Sequence, residues 1–426
     1  MLFKAVSVEG LEHLPAGWGV KRLYDVAFQP KDRIRISHLT PKNYVGVDNL
    51  LQNGQGKREA TFIPKGNAKT SGYAQNDILI GNIRPYLKKI WLADTEGGTN
   101  GDVVVLRVRN AGVVAPRFLY YVLRRDAFFD YMMRFIKGVK MPRGDKKAIL
   151  NFTIPLPPLK EQHAIAAFLD DKTSKLDRLI TKKSCLLQSL KAYKHALISE
   201  VATKGLVATP TKQSGLDWLG EIPTGWELRR LGDLFYIRNG YTPSTTNPEF
   251  WQGGNIPWFR MEDIRKNGRI LNDSIRHITP LGVRGALFKA GSIILATTAT
   301  IGEHALIKVD FVGNQQFSIL TLKESFKNAL DLKFAFYFFF VVGDWCLQCT
   351  RGTTFASVDI TRLKNLFIPL PPLPEQHAIA AFLDEKTSKL DRLMAKLQTQ
   401  IKALKAYKSA LISEAVLGQI PLKDRL

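Results

Sequence analysis

An internal duplication constrains the fold of this chain more than any other feature of its sequence. The stretch PLPPLKEQHAIAAFLDDKTSKLDRL at residues 155–179 returns as PLPPLPEQHAIAAFLDEKTSKLDRL at residues 369–393. A shorter motif precedes each long one, LPAGWGVKRL at residues 14–23 and IPTGWELRRL at residues 222–231. In each copy about 140 nearly unlike residues separate the two motifs, which is the length of one domain. The sequence therefore predicts a duplicated unit with a fixed start, a fixed end and a variable middle.

Each repeated segment is predicted to be a long helix with an apolar seam. After the Pro-rich lead, apolar residues recur at steps of three and four, which is typical of a coiled coil. A helix of about 40 residues is roughly 60 Å long, so it needs an equally long partner, and the other copy is the nearest one. Two ordinary core helices are the alternative, but seams of this length are rarely internal to a compact domain. The predicted seam comprises Ile165, Leu169, Leu176, Leu179, Leu186, Leu190, Leu197, Ile379, Leu383, Leu390, Leu393, Leu397, Leu404 and Leu411.

The variable middles are predicted to be two copies of one mixed fold. Short apolar runs between glycine turns indicate strands, among them residues 77–81 and 103–108 in the first copy. An apolar helix-like stretch follows in each, at residues 116–136 and 330–350. The expected class is α+β: two mixed α/β domains joined and separated by an antiparallel pair of long helices, with approximate twofold symmetry. The predicted segments are domains at residues 1–154 and 207–368 and helical repeats at residues 155–206 and 369–426.

The charge balance indicates a polyanionic partner. The formal net charge is +23, from 61 Lys and Arg against 38 Asp and Glu, and most of the excess lies in the variable middles. Such an excess favours nucleic acid, although a solubilising surface is the alternative. Basic, hydroxyl and aromatic loop residues are the side chains that hold phosphates and read base edges. The predicted DNA contacts are Arg84, Tyr86, Lys88, Lys89, Lys137, Lys140, Arg143, Lys146, Arg260, Lys266, Arg269, Arg351, Thr353, Thr354 and Ser357.

The segment EQHAIAAF is identical in both copies, at residues 161–168 and 375–382, which exceeds what a helical seam requires. A common surface for two identical partner molecules would explain it, and the predicted partner-binding residues are Glu161, Gln162, His163, Phe168, Glu375, Gln376, His377 and Phe382. A structural role on the helix is expected for the two histidines rather than catalysis.

No catalytic or metal site is predicted. No P-loop, methyltransferase motif or nuclease cluster recurs in both copies. Cys346 and Cys349 could form half of a zinc site, but an ungapped alignment places Met132 and Phe135 opposite them, which favours packing. Three cysteines, no signal-peptide pattern and no apolar run of about 20 residues predict a cytoplasmic protein without a membrane span.

These motifs resemble the specificity (S) subunits of Type I restriction-modification systems. The residues that carry the resemblance are P.GW...RL at 15–23 and 223–231, and IPLPPL.EQ.AI..FLD at 154–170 and 368–384, the latter leading into a long helix in each copy. The segment GYTPSTTNPEFWQGGNIPWFRMEDI at residues 240–264 is also similar to that family.

The resemblance implies a non-catalytic reader of double-stranded DNA. Each domain would contact one half of a bipartite target, and the paired helices would set the gap. Two methyltransferase (M) subunits would dock on the chain, and motor-nuclease (R) subunits would join them. No cofactor is expected in this chain, since S-adenosylmethionine, ATP and Mg²⁺ would belong to the partners. The alternatives are a chain that itself modifies or cuts DNA, and a coiled-coil adaptor without specific DNA binding.

Overall fold

The computed structural model describes residues 11–66, 68–350 and 357–421, and its contacts divide the chain into two units. Unit 1 comprises Met1–Ser184 and Gln398–Leu426, and unit 2 comprises Cys185–Leu397. Each unit contains one variable middle, the first part of the helix that follows it and the last part of the other long helix. The boundary between the units therefore cuts through the helices and does not follow the four segments expected from the sequence.

In the described part of unit 1, a four-stranded sheet has the order β2-β9-β6-β7 and a second sheet the order β3-β5-β8-β4. All neighbours in the first sheet are antiparallel, with Ile78 of β6 opposite both Leu106 and Leu92. The elements are β1 (Gly19–Arg22), α1 (Leu23–Val26), β2 (Ala27–Phe28), β3 (Arg33–Arg35), β4 (Tyr44–Val45), β5 (Lys69–Tyr73), β6 (Ile78–Gly81), β7 (Ile90–Leu92), β8 (Gly97–Thr99), β9 (Val103–Val108), α2 (Pro116–Leu123), α3 (Asp126–Arg134), β10 (Ile136–Lys137), β11 (Arg143–Gly144), α4 (Lys146–Ile149), β12 (Thr153–Leu156) and the start of α5 (Leu159–Lys204).

In the described part of unit 2, the sheet order β16-β23-β20-β21-β18 contains the same sequence of antiparallel neighbours as unit 1, with one strand added. A three-stranded sheet has the order β19-β17-β22. The elements are β13 (Thr211–Gln213), β14 (Glu221–Pro223), β15 (Glu227–Arg230), α6 (Leu231–Leu234), β16 (Phe235–Asn239), β17 (Ile256–Phe259), α7 (Met261–Asn267), β18 (Ile270–Leu271), β19 (His277–Ile278), β20 (Ile293–Ala296), β21 (His304–Ile307), β22 (Val312–Gly313), β23 (Phe317–Leu322), α8 (Leu332–Cys349), α9 (Ile360–Lys364), β24 (Phe367–Leu370) and α10 (Leu373–Val416).

The two long helices pack antiparallel, as the sequence predicts. In unit 1, Lys408 of α10 pairs with Asp177 of α5 at 2.5 Å, and Lys183 of α5 donates to Gln400 of α10 at 2.8 Å. Residue numbers rise along one helix while they fall along the other, so the helix directions are opposite. In unit 2, Lys194 pairs with Asp391 at 2.7 Å. The predicted class, α+β with duplicated domains and paired long helices, is confirmed.

The predicted seam residues differ in burial along both long helices. Ile165, Leu169, Ile379 and Leu383 are buried in the cores of their units, and Leu397 and Leu411 are buried as well. The predicted seam residues Leu176, Leu190, Leu197, Leu390 and Leu404 are half-buried. In contrast, Leu179, Leu186 and Leu393 are 41–48% exposed. Thr173 and Ile180 of α5 are buried instead, and Thr173 Oγ1 lies 3.3 Å from the Tyr121 hydroxyl of α2.

Each core combines a variable middle with segments of both long helices. In unit 1, Phe118, Phe128 and Phe152 pack with Leu169 of α5 and Ile412 of α10. In unit 2, the equivalent layer is formed by phenylalanines of α8 with Leu383 of α10 and Ile198 of α5. By length and composition alone α8 could cross a bilayer, but more than half of its apolar window is buried within the protein.

Candidate nucleic-acid interface

The fixed start of each copy is bonded to its fixed end. In unit 1 the indole Nε1 of Trp18 donates to Glu161 at 3.0 Å, and in unit 2 Trp226 donates to Glu375 at 3.0 Å. The strands beside these residues pair as well, β1 with β12 and β15 with β24, both antiparallel. The two motifs that repeat in the sequence are therefore two sides of one clasp, which closes the variable middle into a domain.

A second duplicated contact uses a buried glutamine. The Gln162 amide donates to the carbonyl oxygens of Val113 and Pro157, both at 2.9 Å, and accepts from Ala115 N at 2.8 Å. Gln376 makes the matching three bonds in unit 2. Both side chains are fully buried. The prediction that these two glutamines contact a partner is therefore wrong, because their hydrogen-bonding groups are used within the fold.

The other predicted partner-binding residues divide into two groups. His163 and His377 are exposed on the helices, and Phe168 and Phe382 are half-buried. Glu161 and Glu375 are half-buried in the clasps described above. One edge of the repeated segment, which carries Gln162 and Gln376, is thus buried in its own unit. The other edge, which carries His163 and His377, is exposed, and only this exposed edge is available for the predicted docking.

A third duplicated contact joins each apolar helix to the long helix of its unit. The Tyr121 hydroxyl donates to Asp170 at 2.7 Å and lies 3.3 Å from Thr173 Oγ1. Tyr337 does the same with Asp384 at 2.7 Å and with Thr387. Burial raises the pKa of both phenols above the ordinary value.

This contact also shows that the alignment of the two copies needs a gap. The first copy has two more residues between its tyrosine and its aspartate than the second copy has, and its apolar helix is broken into α2 and α3 where the second copy has the single helix α8. Arg143 and Ser357, which form equivalent bridges, are again 214 residues apart, so the alignment of Cys346 with Met132 stays a prediction. Cys346 is buried in the unit 2 core, and burial raises its thiol pKa to about 12. Among the described residues no three metal-ligating side chains converge.

In unit 1, two predicted loops lie side by side at one end of the β6–β9 sheet. Ile83 forms a bridge with Arg143, and Arg84 N donates to the Pro142 carbonyl at 2.8 Å. Arg84 has a left-handed backbone, with φ of 51°, a conformation that non-glycine residues adopt mainly where the surroundings enforce it. The Arg84 side chain is exposed. The structure thus brings together the residues 84–86 and 137–146 that the sequence predicted separately.

Within this edge, not every predicted cation is available. Lys88 pairs with Asp126 at 2.6 Å, and Lys89 Nζ donates to the Val47 carbonyl at 2.7 Å, where burial lowers its pKa. Lys88 and Lys89 therefore stabilise the fold rather than project from it. Tyr86 and Lys140 are exposed.

The remaining cations of the edge are held by exposed or half-buried partners. Lys137 lies 3.0 Å from Asp145, and this hydrogen bond lowers the Asp145 pKa. Arg143 lies 3.0 Å from Asp102, and Lys146 donates to the Gly101 carbonyl at 3.0 Å. Exposed ion pairs of this kind are weak, so a phosphate can displace them at small cost.

Unit 2 contains the same junction with different side chains. Thr298 forms a bridge with Ser357, as Ile83 does with Arg143, and the next residue, Ala299, has a left-handed φ of 60°. Arg265 of α7 reaches Thr300 of this loop at 3.4 Å. Arg265 was not predicted from the sequence, because only the fold places α7 beside this loop. The predicted residues Arg351, Thr353 and Thr354 lie outside the described residues.

The other predicted unit 2 contacts are engaged elsewhere. Arg260 and Lys266 both pair with Glu262. The Arg269 guanidinium binds Glu303 and the His304 carbonyl, and it stacks over Phe340 at 4.9 Å. Arg269 therefore stabilises unit 2, and its role as a DNA contact stays a prediction.

Comparisons with known proteins match most of the chain. A family model described as the Type I restriction modification DNA specificity domain matches residues 15–188 and 223–403. The chain is 45% identical over 185 residues to the Type I restriction enzyme EcoprrI specificity subunit of Escherichia coli, a match that covers 43% of this chain and 46% of that protein. It is 28% identical over 195 residues to the MjaIX specificity subunit of Methanocaldococcus jannaschii, covering 43% of this chain and 44% of that one. The matched regions thus span less than half the length of these two relatives.

Longer matches are weaker in identity. The Type I restriction enzyme MjaVIII specificity subunit of Methanocaldococcus jannaschii is 26% identical over 363 residues, which cover 82% of this chain and 80% of that protein. Among solved structures, a chain from a study of complex assembly and conformational transition of the type I R-M system aligns with a TM-score of 0.73 and 22% identity. That alignment covers 96% of this chain and all of the other, and it supports the fold described above.

Proposed function

The chain belongs to the Type I restriction-modification DNA specificity domain family, and we propose that it is the subunit that reads a bipartite DNA target for such a system. Unit 1 reads one half of the target and unit 2 the other, and the length of the paired helices sets the gap. The chain has no catalytic role in this proposal. S-adenosylmethionine, ATP and Mg²⁺ are used by methyltransferase and motor-nuclease partners, and the complex works in the cytoplasm.

One observation carries the proposal. The two units share a sheet order and three duplicated contacts, through Trp18, Gln162 and Tyr121 in unit 1 and their counterparts in unit 2. The loops at the equivalent junction differ completely, with Arg84 and Arg143 in one unit and Ala299 and Ser357 in the other. Two domains that bind different DNA half-sites independently require the same fold with unlike loops. The net charge of +23 favours binding to the polyanion DNA.

Docking of the methyltransferase is proposed on the exposed edge of the repeated helices. This edge carries His163 and His377, which are exposed and equivalent in the two copies. Because both copies present the same side chains, two identical methyltransferase subunits could bind in equivalent ways.

The first test is to co-express the chain with the methyltransferase encoded beside it in a host without DNA methylation. Modified adenines are then mapped across the genome by single-molecule sequencing. We expect methylation at one split motif with a fixed gap, and no methylation when this chain is omitted. A stable complex of the two proteins without any methylated motif would contradict the proposal. Duplex affinity that does not depend on salt would then favour the adaptor alternative.

The separate roles of the units and helices can be tested with the same assay. Exchange of residues 19–154 for the corresponding residues of another family member should change one half-site and leave the other intact. Insertion of seven residues after Leu186, with seven matching residues in α10, adds about 10 Å of helix. At ~3.4 Å per base pair, the gap should then grow by about three base pairs. An unchanged gap would contradict the role of the helices as a spacer.

A further inference from the structure

The hairpin β10–β11 of unit 1 exposes apolar side chains at its tip. Residues 136–141 are all exposed, and Val139 and Met141 retain 101% and 51% of their full accessibility. Single exposed apolar residues are common on proteins, so exposure alone identifies no partner. The anchoring of this hairpin and the charges around it indicate which class of partner the exposed tip contacts.

The base of the hairpin is firmly held by the loop that contains Arg84. Arg84 N donates to the Pro142 carbonyl at 2.8 Å, and Gly144 N donates to the Asn82 carbonyl at 3.0 Å. Pro142 and Gly144 are buried. The left-handed backbone of Gly138, with φ of +84°, allows the tight turn at the tip. The base of the hairpin is therefore fixed to the backbone of Arg84, whose side chain is exposed.

The surroundings of the tip are strongly basic. Residues 137–147 contain five lysines and arginines and one acidic residue, Asp145. Lys140 lies between Val139 and Met141 in the sequence and is exposed with them. A segment that combines exposed apolar side chains with neighbouring cations complements duplex DNA, whose phosphates surround an apolar base stack.

We propose that Val139 and Met141 form an apolar wedge that inserts at one base step of the duplex bound by unit 1. The surrounding cations hold the phosphates on either side of the opened step. This inference rests on the proposed function, since it requires that unit 1 binds DNA. Wedges of this kind unstack a base step and gain contacts with the bent duplex in return.

The test uses the purified full chain and duplexes that contain its mapped target with 2-aminopurine at successive positions of each half-site. The fluorescence of 2-aminopurine rises when the base is unstacked. With the wild-type chain we expect a several-fold rise at one step of the half-site read by unit 1. The variant with both Val139→Ser and Met141→Ser should abolish this rise and bind about tenfold more weakly, which corresponds to about 1.4 kcal/mol.

Two further variants separate the wedge from simple charge attraction. Val139→Leu should retain the fluorescence rise, because it keeps an apolar tip. Lys140→Ser should also retain it while weakening affinity and reducing the salt dependence. All substituted side chains are exposed, so the melting temperature should stay that of the wild type.

The outcomes distinguish failure of the wedge from failure of the proposed function. Specific binding to the target without a fluorescence rise at any position would overturn the wedge and leave the proposed function intact. A serine variant that binds DNA like the wild type but no longer co-purifies with the methyltransferase would also overturn the wedge, since the tip would then be a protein-docking element. Absence of specific duplex binding by the wild type would remove both proposals.

Discussion

Replacement of Gln162 by leucine should strongly destabilise unit 1. Leucine is close to glutamine in size, so the substitution leaves no large cavity. It does remove three hydrogen bonds, and it leaves the Ala115 N–H and the Val113 and Pro157 carbonyl oxygens without their partner. A buried polar group without a partner costs about 1–3 kcal/mol. Allowing for the apolar burial that leucine gains, we expect a loss of about 3 kcal/mol in the free energy of unfolding.

Urea denaturation of the full chain, followed by circular dichroism, measures this loss. A unit of this size should have an m-value of roughly 3 kcal/mol/M, so the midpoint should fall by about 1 M. Gln376→Leu should shift the transition of unit 2 by a similar amount, because its three bonds match those of Gln162. The matched control is His163→Ala, an exposed neighbour, which should change the midpoint by less than about 0.2 M.

A Gln162→Leu chain as stable as the wild type would refute this reasoning. If such a chain also lost its methyltransferase, the glutamine would be a docking residue after all. The structure requires the opposite pattern, in which stability falls and any loss of binding follows from unfolding.

Four further substitutions test other contacts. Tyr337→Phe removes the hydrogen bond to the long helix of unit 2 and should lower the free energy of unfolding by about 1–2 kcal/mol in thermal denaturation. In urea denaturation, Asp177→Ala should lower the free energy of unfolding by about 2 kcal/mol, because it leaves the charge of Lys408, which is 10% exposed, without its partner. Asp391→Ala should lower it by less than about 1 kcal/mol, because its partner Lys194 is more exposed than Lys408. The lowered pKa of Asp145 means that its ionised form is favoured in the folded state. Its stabilisation is present above the unfolded pKa and is lost as pH falls through the lower folded pKa, so an NMR pH titration should show the hairpin loosening only below about pH 4, and Asp145→Asn should abolish that dependence.

Sequence periodicity and duplication predicted the architecture well. The apolar runs became β6, β9, β20 and β23, and the Pro-rich leads mark the start of the long helices at Leu159 and Leu373. These features depend on local pattern, which a sequence records directly. The duplication added long-range information, because two segments that repeat together must serve the same structural purpose.

The individual roles of side chains were harder to predict because they depend on tertiary neighbours. Leu179 has the spacing of a seam residue, yet 41% of its accessible surface remains exposed. Arg269 has the composition of a DNA contact, yet Glu303 and Phe340 lie beside it. Gln162 repeats like a docking residue, but its partners, Val113 and Ala115, precede a helix in another part of the chain. In each case the deciding neighbour is distant in sequence.

The composition of the unit 1 core has a consequence for synthesis of the chain. That core includes Leu411, Ile412 and Val416, whereas unit 2 is formed by the continuous segment Cys185–Leu397. On a ribosome that adds roughly 5–20 residues per second, Ile412 is synthesised on the order of tens of seconds after Leu169, with which it packs in the unit 1 core. The portion translated first is thus completed last, and its aromatic face stays open to chaperones or to another nascent chain until the final helix leaves the exit tunnel.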